Sequence, residues 1–512
     1  MERNEERSGR MQQKCMDKTQ PVELTVQLTL PDYRSEISRL LWVRPTMMPP
    51  TRFVGGGKID LSGPVRYSIL YVGANGALCS VECEEGYALS LAVDLSEGFD
   101  ATQGLELTVE PVIDTVVSRV TGPRKLSVRC RAHVRVQAYA EMDLSPRITP
   151  DKEGVRRLSA VVDCARMLSG IGEHFEVSDS IEVESGEGEL RLICTDCGVL
   201  MSEVSALSDA VLCRGELLLK LLLCRENAAD AASTPFSVTR RIPFEHEVVM
   251  TGATPDLDLR ASGTAGEITA ELEGDRIDLR ANVVLSLEGQ CEEGVVVCRD
   301  AFGVGSVAEC RLEEEAVLCA VCCGNRNFTV SEERTLAEMG VLPDARPLFA
   351  VADAALTERR SEEERTKLLG ELHCHILYER EGEYGVADVT LPYRTHLAER
   401  SDDVVGSWQV PTCRVSAGRE GESWRIDAEV QGALRAVSTQ RVTCLREATL
   451  TPRPAAPRAD IEICYPAAGE SLWEVSKRYA ISPEELAGAN GVPADDMGDP
   501  ASLQGSKYLI IP

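Results

Sequence analysis

Four sequence marks recur along this chain with a common period of about 150 residues, and a repeating chain folds as copies of one unit. The first mark is a glycine that opens an apolar strand. Gly63, Gly215 and Gly370 lie 152 and 155 residues apart, and each is followed eight positions on by an apolar residue: Tyr71, Leu223 and Tyr378. The second is a cation followed by alternating apolar and polar residues, in Lys125-Leu126-Ser127-Val128-Arg129-Cys130, Arg276-Ile277-Asp278-Leu279-Arg280-Ala281 and Arg425-Ile426-Asp427-Ala428-Glu429-Val430. Their starts are 151 and 149 residues apart. The third is an aromatic corner 23 to 29 residues after the glycine: Tyr87, Phe244 and Tyr393. The fourth, Phe175-Glu176-Val177-Ser178-Asp179, returns 153 residues later as Phe328-Thr329-Val330-Ser331-Glu332.

Within these copies the apolar residues alternate with a period of two, as in half-buried strands, and Gly, Pro, Asp and Asn punctuate them. The expected fold is mainly β: three tandem homologous β-rich domains, sandwich-like or barrel-like, followed by a small α+β module. The domains are placed at 21–145, 171–300 and 324–447, the module at 460–512, and a connector at 301–323. Residues 1–20 are polar and expected to be disordered. Two stretches break the pattern. Val155, Leu158, Val161, Val162, Ala165 and Leu168 fall at helical spacing and predict a helical connector within 146–170, and the Glu- and Arg-rich stretch Glu358 to Leu369 predicts a second short helix. Prolines 452, 454 and 457 predict a semi-rigid spacer, 448–459, that holds the module away from the repeats.

The chain is acidic, with 54 Lys and Arg against 83 Asp and Glu, a net charge of −29. That argues against non-specific binding to nucleic acid or to an anionic membrane. The N-terminal residues lack the apolar core of a signal peptide, and the most apolar run, Leu217 to Cys224, is interrupted by Lys220, so neither export nor membrane insertion is expected and the chain is read as cytoplasmic. Of the 19 cysteines, Cys194 and Cys197 have zinc-knuckle spacing but no second pair at finger distance. Cys319, Cys322 and Cys323 form another group, and His373 and His375 share one strand face. All are read as structural residues rather than metal ligands. No phosphate-binding loop, nucleophile elbow or zinc-protease helix occurs. No catalytic residue or cofactor is assigned.

The final fifty residues carry the clearest local signals. Ser471-Leu472-Trp473-Glu474 and Ser482-Pro483-Glu484-Glu485 both read as helix-opening capping boxes. Asn490-Gly491 stops the second helix. Strand, helix, helix and strand would enclose a core of Leu472, Trp473, Tyr479, Leu486, Leu509 and Ile511.

At Tyr465, Gly469 to Trp473, Tyr479, Ser482, Leu486, Asn490, Gly505, Leu509, Ile510 and Pro512 the chain resembles a LysM domain. That family has a βααβ fold and binds N-acetylglucosamine glycans such as peptidoglycan in a groove between two loops. The resemblance places the groove at Gly469, Glu470, Ser471 and Leu472 on one side and Asn490, Gly491 and Val492 on the other. For Leu472 and Asn490 a structural role is the stronger reading. The module carries nine carboxylates against Lys477, Arg478 and Lys507, which suits a basic protein partner better than an anionic wall polymer. The three repeats resemble the SPOCS domain of spore-coat-associated proteins. Tandem SPOCS copies before one LysM domain imply a non-enzymatic adaptor of the mother-cell cytoplasm. It would dock on the coat morphogenetic ATPase at the forespore surface and recruit other coat proteins. Peptidoglycan binding in wall or cortex is the alternative.

Overall fold

Alternating burial runs along the strands Arg10–Thr29, Leu78–Ala92, Lys125–Asp143, Phe175–Glu182, Phe236–Val249 and Glu383–Leu397, among others, of the computed structural model, which describes all residues except 1–6, 96–98, 100–103, 151–153, 172–173, 185, 227–234, 419–420, 453–461, 494–496 and 505. The first third contains β1 (Arg7–Ser8), β2 (Arg10–Thr29), β3 (Ile37–Met47), β4 (Thr51–Gly55), β5 (Lys58–Gly73), β6 (Leu78–Ala92), β7 (Glu106–Gly122), β8 (Lys125–Asp143) and β9 (Arg147–Thr149). The second contains β10 (Val155–Ile171), β11 (Phe175–Glu182), β12 (Glu189–Ala206), β13 (Ala210–Glu226), β14 (Phe236–Val249), β15 (Asp258–Glu273) and β16 (Arg276–Gly303). The third contains β17 (Ser306–Thr335), β18 (Arg346–Ser361), β19 (Thr366–Arg380), β20 (Glu383–Leu397), β21 (Asp403–Ala417) and β22 (Ser423–Pro452). Last come β23 (Glu462–Cys464), α1 (Leu472–Tyr479), α2 (Pro483–Asn490) and β24 (Leu509–Ile511).

One connectivity recurs in each third. The last long strand lies between the first and the one preceding it, giving β2-β8-β7, β10 and β11 beside β16-β15, and β17-β22-β21. The intervening strands form a second antiparallel sheet: β3-β5-β6 with β4, then β12-β13-β14, then β18-β19-β20. The two sheets of a third face each other across a shared core, as Ile59, Tyr67 and Tyr71 do with Leu126, Val128 and Val134.

The repeated sequence marks have one physical explanation. Each marked glycine pairs directly with its aromatic corner on the neighbouring strand: Gly63 with Tyr87, Gly215 with Phe244 and Gly370 with Tyr393. The ring lies over the bare backbone, and a Cβ on Gly370 would stand 2.2 Å from the Tyr393 ring. In the second and third copies the ring in turn touches the repeated phenylalanine of the opposite sheet, Phe175 against Phe244 at 5.4 Å and Phe328 against Tyr393 at 5.6 Å. Leu126, Ile277 and Ile426 are all buried near the start of the central strand of the other sheet.

The three thirds are fused rather than strung out. Leu70, Leu222 and Leu377, each seven residues past its marked glycine, are fully buried in one cluster together with Trp42, Cys194 and Phe349. A second cluster takes Met11 and Leu144 from the first third, Val162 and Val295 from the second, and Val317 and Cys444 from the third. Charged side chains tie the same seams. Arg44 bridges Asp196 and Asp353. Arg260, paired with Glu288 of its own third at 2.8 Å, donates to the Ala433 carbonyl of the third copy at 2.8 Å, and Arg435 donates to the Tyr139 hydroxyl at 2.8 Å. Lys220, which interrupts the most apolar run, donates to the Cys413 carbonyl at 3.0 Å and pairs with Asp196 at 3.3 Å.

Several sequence expectations are corrected. Residues 155–171 form strand β10, in antiparallel register with β16 along its whole length. On a strand, residues three apart point to opposite faces, so these six do not share one side: Val162, Ala165 and Leu168 are buried while Val161 is exposed. The long ladder with β16 outweighs the helical spacing. Residues 358–361 end β18, and the stretch to Leu369 contains a turn closed by Glu362 N–H donating to the Arg365 carbonyl and then the start of β19. Residues 7–8 and 10–20, expected to be disordered, belong to β1 and β2, because Met11 and Met16 are buried and Lys14 and Asp17 enter an ion network with Asp403 of the third copy. The connector assigned to 301–323 is mostly β-strand, the end of β16 and the start of β17. Most of the proline spacer lies outside the described residues, but 448–452 complete β22.

Candidate functional site

The C-terminal module is built by local rules. Ser471 caps α1: its hydroxyl accepts from the Glu474 amide, and the Glu474 carboxylate accepts from the Ser471 amide at 2.8 Å, a reciprocal capping box. The expected second box at Ser482 is absent. Ser482 is the N-cap of α2, but its side chain turns to the Glu484 carboxylate, and Pro483 already occupies the position that needs no donor. Gly491, in left-handed backbone, ends α2. The core contains Leu472, Val475, Leu486, Leu509 and Ile511, with Tyr479 packed against it.

Trp473 departs from the expected core. It is buried against Phe302 of β16, ring centres 4.9 Å apart and nearly perpendicular, and its indole N–H donates to Asp300 at 2.8 Å. Lys477, one turn along α1, meets both Asp300 oxygens at 2.7 and 2.8 Å. The Gly305 amide donates to the Ala480 carbonyl at 2.9 Å, and Arg156 reaches Glu484 at 3.2 Å. Gly498 packs on Leu158. The module is thus seated on the β16–β17 hairpin, not held away from the repeats. Trp473 and Lys477 lie four residues apart on one face of α1, so a single helix face makes the anchor.

Every assigned groove residue takes part in the module's own architecture. Gly469 sits in the turn after β23, where Glu470 N–H donates to the Ala467 carbonyl. Glu470 accepts from the Ala467 amide at 2.9 Å and from Arg478 at 3.1 Å. Ser471 is the cap and Leu472 is wholly buried. Asn490 acts as an extra strand: its amide donates to the Ile510 carbonyl at 2.8 Å and its oxygen accepts from the Ile510 amide at 2.6 Å. Gly491 is exposed and Val492 packs on the core. The two segments flank the β23–β24 pair, one following β23 through Tyr465 and the other bracketing β24. Part of the acidic loop after Val492 lies outside the described residues.

Between those segments lies a surface that sequence reading missed. Ile463 and Ile510 are cross-strand partners, 50% and 41% exposed, and Tyr465 and Tyr508 beside them are 73% and 55% exposed. Assigning Leu509 and Ile511 to the core already implied it, because side chains of period two send Tyr508 and Ile510 outward.

Elsewhere the candidate ligands diverge. Cys194 packs into the three-way apolar cluster, whereas Cys197 packs against the second third's own core, as residues three apart on a strand must. Burial raises the Cys323 thiol to about 12. His375 bonds Asp388 at 2.6 Å and His373 faces Thr390. The hydrogen bond from His375 holds the Asp388 carboxyl below its ordinary range. Among the described residues, no three His, Cys, Asp or Glu side chains converge as a metal site. A cleft of about 360 Å³ lies between β10, β16, β17 and β22, lined by Asp163, Cys164, Arg299 and Cys319 among others. Burial pushes its Cys164 thiol up to about 12, away from nucleophilic character. No helix among the described residues is long and apolar enough to cross a membrane.

No family model, curated protein or solved structure matches the chain.

Proposed function

We propose that this chain is a non-enzymatic adaptor of spore-coat assembly. Its C-terminal module, read as a LysM domain, docks onto the coat morphogenetic ATPase at the forespore surface, and the three repeats, read as SPOCS domains, gather other coat proteins. The observation that carries the reading is the exposed face formed by Ile463, Tyr465, Tyr508 and Ile510. Four large apolar side chains left in water on one small module favour a docking surface. Tyrosine suits such a surface, since its ring buries area while its hydroxyl stays wet. The surrounding carboxylates favour a partner with basic patches. The anchor supports the same reading: Trp473 and Lys477 hold the opposite side of the module against the repeats, so whatever the free face binds is joined rigidly to them.

The test is co-purification of the ATPase with the full chain and with a chain lacking residues 460–512. Loss of co-purification on truncation is expected, and equal recovery with both chains contradicts the proposal. Sedimentation of the full chain with purified peptidoglycan, without ATPase binding, would assign the module to glycan instead.

A further inference from the structure

The three copies differ on one solvent face in a way their shared fold does not require. On the outer side of the central strand, the second and third copies place an aspartate, Asp278 and Asp427, where the first has Ser127. Each aspartate neutralises a neighbouring arginine, Arg276 to Asp278 at 2.9 Å and Arg425 to Asp427 at 3.2 Å. In the first copy Ser127 accepts only a neutral hydrogen bond, from Gln27 at 2.8 Å. Arg119 lies directly across from Ser127, Arg129 across from Val117, and Arg131 across from Thr115. Arg131 pairs with Glu23 at 3.1 Å. Arg119 and Arg129 are exposed and have no ion pair among the described residues. Together these side chains line a shallow recess of about 310 Å³ in which Val117 is 64% exposed.

We propose that this face of the β2-β8-β7 sheet binds an acidic segment of a partner protein. Charge complementarity selects the occupant. On a chain of net charge −29, a cation cluster without its carboxylate is a local attractor in a field that repels large polyanions such as nucleic acid. The other two copies show which group meets arginine on this surface: a carboxylate. An extended partner segment with carboxylates on one side would supply what Asp278 and Asp427 supply internally. Charge-assisted pairing to guanidinium gives the contact geometry as well as attraction. Val117 offers the apolar contact between the charges. The inference is independent of what the terminal module binds.

The experiment uses the full chain and a fluorescein-labelled decaglutamate peptide, read by fluorescence anisotropy, with decaglutamine as the neutral control. Binding of decaglutamate alone is expected. Ser127→Asp, which installs the carboxylate of the other copies, should weaken it at least tenfold, as should the double variant Arg119→Ser/Arg129→Ser. All these positions are on the surface, so unfolding temperatures should stay at the wild-type value. No binding to the wild type, or equal binding by the wild type and the double variant, overturns the proposal. Sedimentation equilibrium provides a further arm: a wild type that dimerises and a Ser127→Asp variant that is monomeric would make the occupant a second copy and overturn the assignment to a partner.

Discussion

Replacing Gly370 with alanine would force a methyl carbon to within 2.2 Å of the Tyr393 ring, which is itself buried against Phe328 and Trp408. The ring has little room to retreat, so G370A should cost roughly 1–3 kcal/mol, the usual range for overpacking. Urea unfolding would measure it, and adding Tyr393→Ala should relieve only part of the loss, because the same Cβ would also meet the Ala355 carbonyl oxygen at 2.5 Å. The opposite sign is expected at Ala480, which caps α1 in left-handed backbone at φ 54°. Glycine adopts that conformation without the Cβ penalty, so A480G should raise the module's melting temperature, corresponding to about 1 kcal/mol. At this scale the sequence displayed the repeated glycine and the repeated aromatic as separate marks. That they are one cross-strand pair was not legible, because register depends on a turn and a ladder that neither motif contains. Asn490 shows a similar limit. Its helix-stopping role was visible locally, whereas its bracket around Ile510 joins residues 20 apart.

Strand β10 shows how an element is decided by its neighbours. Val155, Leu158, Val161, Val162, Ala165 and Leu168 suit a helix face, yet β16 offers a continuous ladder and the segment takes it. Short apolar runs carry too little periodicity to separate the two outcomes. The terminal helices were more legible because caps are local chemistry, and Ser471 and Glu474 met as their spacing required. The seat of α1 on the β16–β17 hairpin was not legible, since nothing near Trp473 names Phe302 or Asp300. That seat makes a prediction. Asp300→Ala strands Lys477 and the indole N–H without their acceptor, and Phe302→Ala removes the ring that Trp473 packs on. The double variant should release the module while leaving both parts folded. Tryptophan emission should shift to the red as buried Trp473 enters water, and unchanged emission would contradict the docked arrangement.

Across the whole molecule, partly buried ion pairs join the first and third copies. Burial alone would raise the Asp403 carboxyl, but the charges of Lys14 and Arg135 and the hydrogen bond from Gln137 outweigh it and hold it below the ordinary carboxylate range. Asp17, in the same network, is also lowered. A carboxyl depressed in the folded state stabilises above its unfolded value, and that contribution is lost as pH falls. The melting temperature should therefore be flat near neutrality and drop as pH falls below about 4, and Asp403→Asn should remove part of that drop. Threefold repetition and a β fold were legible because they are periodic. The fusion of the copies around shared apolar clusters was not, since Leu70, Leu222 and Leu377 look like ordinary strand residues until they meet. The same fusion gives the adaptor reading its mechanical sense, because the module that carries the exposed apolar face is anchored on the fused copies through Trp473 and Lys477. The most direct measurement is surface-immobilised binding of the coat ATPase to the full chain and to the Tyr465→Ser/Tyr508→Ser variant. Both substitutions lie at exposed positions outside the core, so the fold should be kept. The account predicts specific binding by the wild type and at least a tenfold loss in the variant at an unchanged melting temperature. Equal affinity in the two proteins, or no binding by either, would contradict it.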